Sequence, residues 1–122
     1  MVVRSNILIL TLVLLASCAG SRTWTKGDYI REGAYLAVHT VDWRQTRRIA
    51  EQPDQYRENN LILGEHPSVG RVNTYFAATT VGHILITHAI PHPYRAWWQY
   101  VTIGVSSAYV VNNYNIGLRV DW

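Results

Sequence analysis

The chain has 122 residues, 48% of them apolar and 16% charged, and its eleven Lys and Arg exceed its eight Asp and Glu by three. That length fits one small domain and excludes a multidomain enzyme. The low charge and high apolar share argue against a wholly disordered chain.

Residues 1–17 read as an export signal. Arg4 lies near the start, an apolar core runs from Ile7 to Leu15, and the small residues Ala16 and Ser17 follow. Such a core is too short for a permanent membrane span. Leu15-Ala16-Ser17-Cys18 resembles the lipobox of bacterial lipoproteins. The resemblance implies cleavage before Cys18, diacylation of its thiol, and acylation of the new amine by a chain such as palmitate. Two or three acyl chains, at about 0.8 kcal/mol per buried methylene, hold more firmly than one reversible chain. Cys18 is the only cysteine, so an intrachain disulfide and a thiolate metal site are excluded. In that family the residue after the cysteine biases sorting. Ala19 lacks the acidic side chain associated with inner-membrane retention, which favours the outer membrane.

Residues 18–33 are polar and Gly-punctuated, with Trp24 and Tyr29 among basic residues. They read as a lipidated N-terminus and a tether near the headgroups. The remaining chain, 34–122, reads as a single small helical domain. Its first element is an amphipathic helix over 34–51, free of Gly and Pro, with Leu36, His39, Trp43 and Thr46 on one face. Pro53 stops it. Residues 52–67 are turn-rich around the apolar island Leu61-Ile62-Leu63, which is expected to dock on the core. Ser68 is a suitable N-cap for a helix over 69–90.

Between Arg71 and Arg95 lie 23 residues without Asp, Glu, Lys or Arg, and another 23 separate Arg95 from Arg119. Pro91-His92-Pro93 marks a turn between them. The pattern predicts a helical hairpin over 69–90 and 94–112, with segments 72–94 and 96–118 of a length that could span a bilayer or pack in a soluble bundle. Asn73, four threonines, His83 and His88 weaken the case for insertion of the first leg. Small residues at Ala77, Ala78, Gly82, Gly104, Ser107 and Ala108 permit close helix contact in either solvent. A competing pattern is the period-two alternation from Val101 to Trp122, which fits a β-hairpin. Asn115-Ile116-Gly117-Leu118-Arg119-Val120-Asp121-Trp122 also resembles the terminal strand signal of outer-membrane β-barrel proteins, although nothing upstream supplies further strands. The preferred fold is mainly α: an amphipathic helix packed on a helical hairpin, a small three-helix bundle that a membrane could embed, with a short extended C-terminal segment.

No phosphate loop, nucleophile elbow or metalloprotease motif is present. His39 and Asp42 share a helical face with Thr46, and His83 sits in the charge-free second helix. If the helices pack, His39, Asp42 and His83 could converge as two imidazoles and a carboxylate suited to zinc or iron. The alternative is that they satisfy structural hydrogen bonds. Trp97, Trp98 and Tyr100 fit an aromatic belt better than a nucleic-acid stack, because export removes the chain from nucleic acid. Arg44, Arg47 and Arg48 suit either a solvated face or contact with anionic lipid.

Asp42-Trp43-Arg44-Gln45-Thr46, then Glu58 to Gly64 and His66-Pro67-Ser68, resembles small bacterial and phage-encoded envelope proteins over roughly residues 42–122. That resemblance implies a few packed helices and no catalytic residue. The preferred function is therefore a lipid-anchored cell-envelope protein with a structural or interaction role and no cofactor. Its partners would be the bilayer, through acylated Cys18, and an envelope protein. The alternatives are a small metal-dependent membrane hydrolase using His39, Asp42 and His83, and an outer-membrane β-strand module.

Overall fold

A computed structural model describes residues 23–120. The export signal, Cys18, Ala19, Asp121 and Trp122 lie outside the described residues. Three helices account for most of the rest: Lys26–Glu51 (α1), Val69–Ala89 (α2) and Tyr94–Asn115 (α3). The small helical bundle and the helix order match expectation.

Helix α1 begins eight residues before the expected start, so residues 26–33 are its first two turns and not a tether. Thr25 explains the start. Its hydroxyl accepts from the Asp28 backbone N–H at 3.2 Å while the Asp28 carboxylate accepts from the Thr25 N–H at 2.9 Å. This reciprocal capping box satisfies two otherwise orphaned donors. Glu51 is the last helical residue, just before Gln52 and Pro53. Ser68 caps α2 as expected, accepting from the Arg71 N–H at 3.2 Å.

The end of α3 overturns the β-hairpin reading, since residues 101–115 are helical. Gly117, at φ +97°, supplies the left-handed residue. Its N–H donates to Tyr114 O and the Leu118 N–H donates to Asn113 O, both at 3.0 Å. This is a Schellman termination, in which glycine relieves the left-handed strain and the next apolar residue folds back onto the helix. Leu118 is accordingly fully buried. Residues 115–118 of the segment read as a strand signal form a helix stop.

Buried positions on α1 fall at Asp28, Glu32, Tyr35, His39, Asp42, Thr46 and Ile49, with Gln45 beside them, and on α3 at Arg95, Gln99, Ser106 and Asn113. Alternating steps of four and three, doubled where a half-buried residue intervenes, are those of a helix seam. Most of these residues are polar. Among the described residues thirteen polar side chains are buried against six large apolar ones, while Val81, Leu85, Trp97, Tyr100 and Val101 are exposed. The polarity is thus inverted relative to a water-soluble bundle. None of the described helices is long and apolar enough to cross a membrane.

An apolar cluster secures one end. Leu63, Val72 and Phe76 are buried together, flanked by Trp43, Ala50 and Tyr75, each full burial contributing roughly 1.5–3 kcal/mol. Of the loop's apolar island only Leu63 docks, because the Asn60 side chain accepts from the Ile62 N–H and turns the chain outward. Leu61 and Ile62 remain exposed. Helices α2 and α3 both pack on α1 and meet each other far less. Ala78 and Gly82 on α2 therefore do not bring the hairpin legs together as expected. They leave a gap above α1, and a Cβ built on Gly82 would meet nothing within 4 Å.

Candidate functional site

The gap is a cleft of about 530 Å³, floored by Tyr35, His39 and Asp42 of α1 and walled by α2 and α3. Its walls are mostly apolar, including Ile86, Trp98 and Val105, with His83 near the floor. A largely apolar concavity with a few polar groups at its base is the usual form of a small-molecule site.

A continuous ladder of rings runs through the floor of the cleft and beyond it. Trp98, His83, Tyr35, His39, Phe76 and Trp43 follow one another with centroid separations of 5.3, 3.5, 5.0, 4.9 and 5.9 Å. Such contacts fix ring orientation beyond what area burial alone provides. Burial pushes the Tyr35 hydroxyl up to about 12, with the charge of Glu32 adding to it, so it stays protonated.

Both expected histidines have structural partners. Thr79 Oγ1 donates back to Tyr75 O at 2.8 Å, so at 3.1 Å it accepts from His39 Nε2. Burial lowers the His39 pKa, with Phe76's backbone opposing and the charge of His83 assisting. His83 Nε2 lies 2.9 Å from Thr102 Oγ1, and its Nδ1 lies 3.0 Å from Glu32 Oε1. Burial lowers the His83 pKa and Glu32 opposes that shift.

Asp42 differs. Thr46 Oγ1 and Asn113 Nδ2 both donate to its Oδ1 at 3.3 Å. The carboxyl is only 8% exposed, and burial, reinforced by the charge of Glu58, pushes its pKa up to about 7 against the Thr46 hydrogen bond. Glu58 is also raised by burial, against the hydrogen bond that its Oε1 accepts from the Asn60 N–H at 2.8 Å. Its Oε2 is buried without a hydrogen-bond partner.

His39, Asp42 and His83 all reach the cleft, but they do not assemble into the expected metal set. Among the described residues, no three His, Cys, Asp or Glu side chains are grouped so as to hold a metal ion. The reason is local: both imidazoles stack on Tyr35 and are held by hydroxyls on α2 and α3.

A second polar cluster closes the end of the bundle near the α2–α3 turn. Arg95 and Asp28 are both 0% exposed. Arg95 donates through Nε to Thr87 O and Ile90 O at 2.9 and 3.0 Å, and through NH1 to Asp28 Oδ2 at 3.1 Å. Arg31 pairs with the other Asp28 oxygen at 2.6 Å. Burial alone would raise the Asp28 carboxyl; the backbone N–H and hydroxyl of Thr25, Arg95 and the charge of His92 outweigh it and hold it at about 2. Gln99 links this cluster to His83, donating to Asp28 O and Glu32 Oε2, both at 3.0 Å.

Asp28, Glu32, Tyr35, Glu58, Arg95 and Gln99 were not anticipated from the sequence. Two signals were available. The spacing Thr25-x-x-Asp28 announced the cap, and Arg95 is a lone cation between two long uncharged runs, where a charge requires a partner. Of the aromatic belt, Trp97 and Tyr100 are exposed, whereas Trp98 is partly buried and donates from Nε1 to Thr87 Oγ1 at 2.9 Å. Arg44, Arg47 and Arg48 border a surface depression with Arg119, and Arg47 pairs with Glu51 at 3.4 Å.

No protein family matches the chain, and no curated protein or solved structure is significantly similar to it.

Proposed function

We propose that the chain is a lipid-anchored protein of the bacterial cell envelope, with a structural or interaction role. Acylated Cys18 holds it, and the outer side of α2 and α3 rests against the bilayer surface. The observation that carries this reading is the inverted polarity of the bundle. Val81 and Leu85 of α2 and Trp97, Tyr100 and Val101 of α3 are exposed on helices that are nearly free of charge, while Arg44 and Arg47 mark the outward side of α1. Exposed apolar groups gain stability when a lipid surface removes them from water, and Trp and Tyr are favoured at headgroup depth.

Contact at the surface, with acyl chains supplying the attachment, suits helices too polar to span. The lipobox resemblance of Leu15-Ala16-Ser17-Cys18 and the neutral Ala19 support an anchor in the outer membrane. Fractionation of cells expressing the full chain and its Cys18→Ala variant tests it. The expected result is an acylated wild type in the outer-membrane fraction and a variant that lacks acyl mass and is released from membranes. Equal retention and equal mass would overturn it.

A further inference from the structure

The α2–α3 cleft has a definite electrostatic character. Among the described residues no Lys or Arg lines it. The titratable groups facing Asp42 and the cleft are Tyr35 and His39 from α1, Tyr75 and His83 from α2 and Tyr109 from α3, with Glu58 approaching from the loop. Tyr35 stays protonated and His39 is drawn toward its neutral form. His83 stands against the Glu32 carboxyl, which offsets any charge it acquires. The formal charge left for a ligand to meet is negative, on Asp42. Both of the protein's hydrogen bonds to that carboxyl end on Oδ1, so among the described residues no donor occupies Oδ2.

We propose that the cleft binds an amphiphilic primary amine, its apolar body lying between Ile86, Trp98 and Val105 and its ammonium head against Asp42. Three features select this class. The walls offer aromatic and aliphatic surface to an alkyl or aryl body. Tyr75 and Tyr109 line the same cleft, and aromatic ring faces attract ammonium groups. An anionic head would meet Asp42 and the nearby Glu58 with no lining cation to compensate, whereas an ammonium neutralises a carboxylate that burial otherwise disfavours. This inference concerns the cleft alone and does not depend on what the outer faces of α2 and α3 touch.

A matched series tests it: n-octylammonium, n-octanol and n-octanoate share one tail and differ in head charge. Each is titrated into the full chain at pH 8, below its aggregation concentration, by calorimetry and by the ring-proton resonances of His39 and His83. Octylammonium should bind at least about tenfold more tightly than either of the others. Asp42→Asn should bring octylammonium to the octanol level and leave octanol unchanged. Gly82→Leu, which fills the cleft where an added Cβ meets no neighbour and favours the helix, should abolish binding of all three. Octanoate binding as tightly as octylammonium, binding that survives Gly82→Leu, an unaltered preference in Asp42→Asn, or no binding of octylammonium would each overturn the proposal.

Discussion

His83 Nδ1 stands 3.0 Å from Glu32 Oε1 across the α1–α2 interface, with both side chains buried. Thr102 Oγ1 lies 3.0 Å from the carbonyl oxygens of Trp98 and Gln99 and donates its one proton there. It is also 2.9 Å from His83 Nε2, so the imidazole is held from both sides, by Glu32 of α1 and Thr102 of α3. Removing one partner strands the other. His83→Ala is expected to lower the free energy of unfolding by about 3–5 kcal/mol, the usual loss when a buried pair is broken. Glu32→Met combined with His83→Phe, which keeps a ring on Tyr35, should recover more than half of that in urea unfolding. A single variant costing less than about 1 kcal/mol would show that the pair is not holding α1 to α2.

Asp42 sets a pH dependence of its own. Its folded pKa of about 7 lies above the ordinary 3.8, so the folded state favours the protonated form. Its contribution is complete below about pH 4 and is lost as pH rises through about 7. Three units correspond to at most about 4 kcal/mol. Urea unfolding between pH 5 and 8 should show wild-type stability falling as pH rises, with a flatter profile for Asp42→Asn. Identical profiles would contradict the assignment.

Asp28 acts with the opposite sign. Its folded pKa of about 2 lies below 3.8, so its contribution, about 2 kcal/mol, is present above pH 4 and lost as pH falls toward 2. Arg95→Met should remove much of this and destabilise by a further few kcal/mol, because Asp28 keeps its burial and loses a donor. Asp28→Asn should be nearly insensitive to pH in that window. Acid unfolding followed by far-ultraviolet circular dichroism checks both.

Much of the architecture was legible where chain chemistry marks ends. Pro53, Ser68 and the Pro91-His92-Pro93 turn located helix boundaries because proline and side-chain caps act locally. The start of α1 was missed although Thr25 and Asp28 spell a cap, since the residues between Lys26 and Gly33 look like a polar tether when burial is equated with apolarity. The same assumption hid the site. Asp28, Glu32, His39 and Asp42 repeat at seam spacing, but a seam of polar residues is invisible to a search for hydrophobic periodicity. His39, Asp42 and His83 all line one cleft, while their partners Glu32, Thr79 and Thr102 depend on helix packing that sequence spacing does not reveal.

The C-terminus carries a similar lesson and its own prediction. Gly117 looked like part of a strand signal, yet its positive φ ends α3 and folds Leu118 into the core. Gly117→Ala forces a side chain into the left-handed region and should cost about 1–2 kcal/mol, measured by thermal unfolding. A neutral effect would mean that this termination does not secure the C-terminal end of α3.

The most direct measurement for the central claim places a polarity-sensitive fluorophore on the full, acylated chain, in which Cys18 is blocked, at a cysteine replacing either Val101 or Arg44. On phospholipid vesicles, emission from position 101 should shift to the blue while that from position 44 stays as in water. A shift at position 44 alone, or none at 101 with the chain fully vesicle-bound, would contradict an arrangement in which the apolar side of α2 and α3 meets the bilayer.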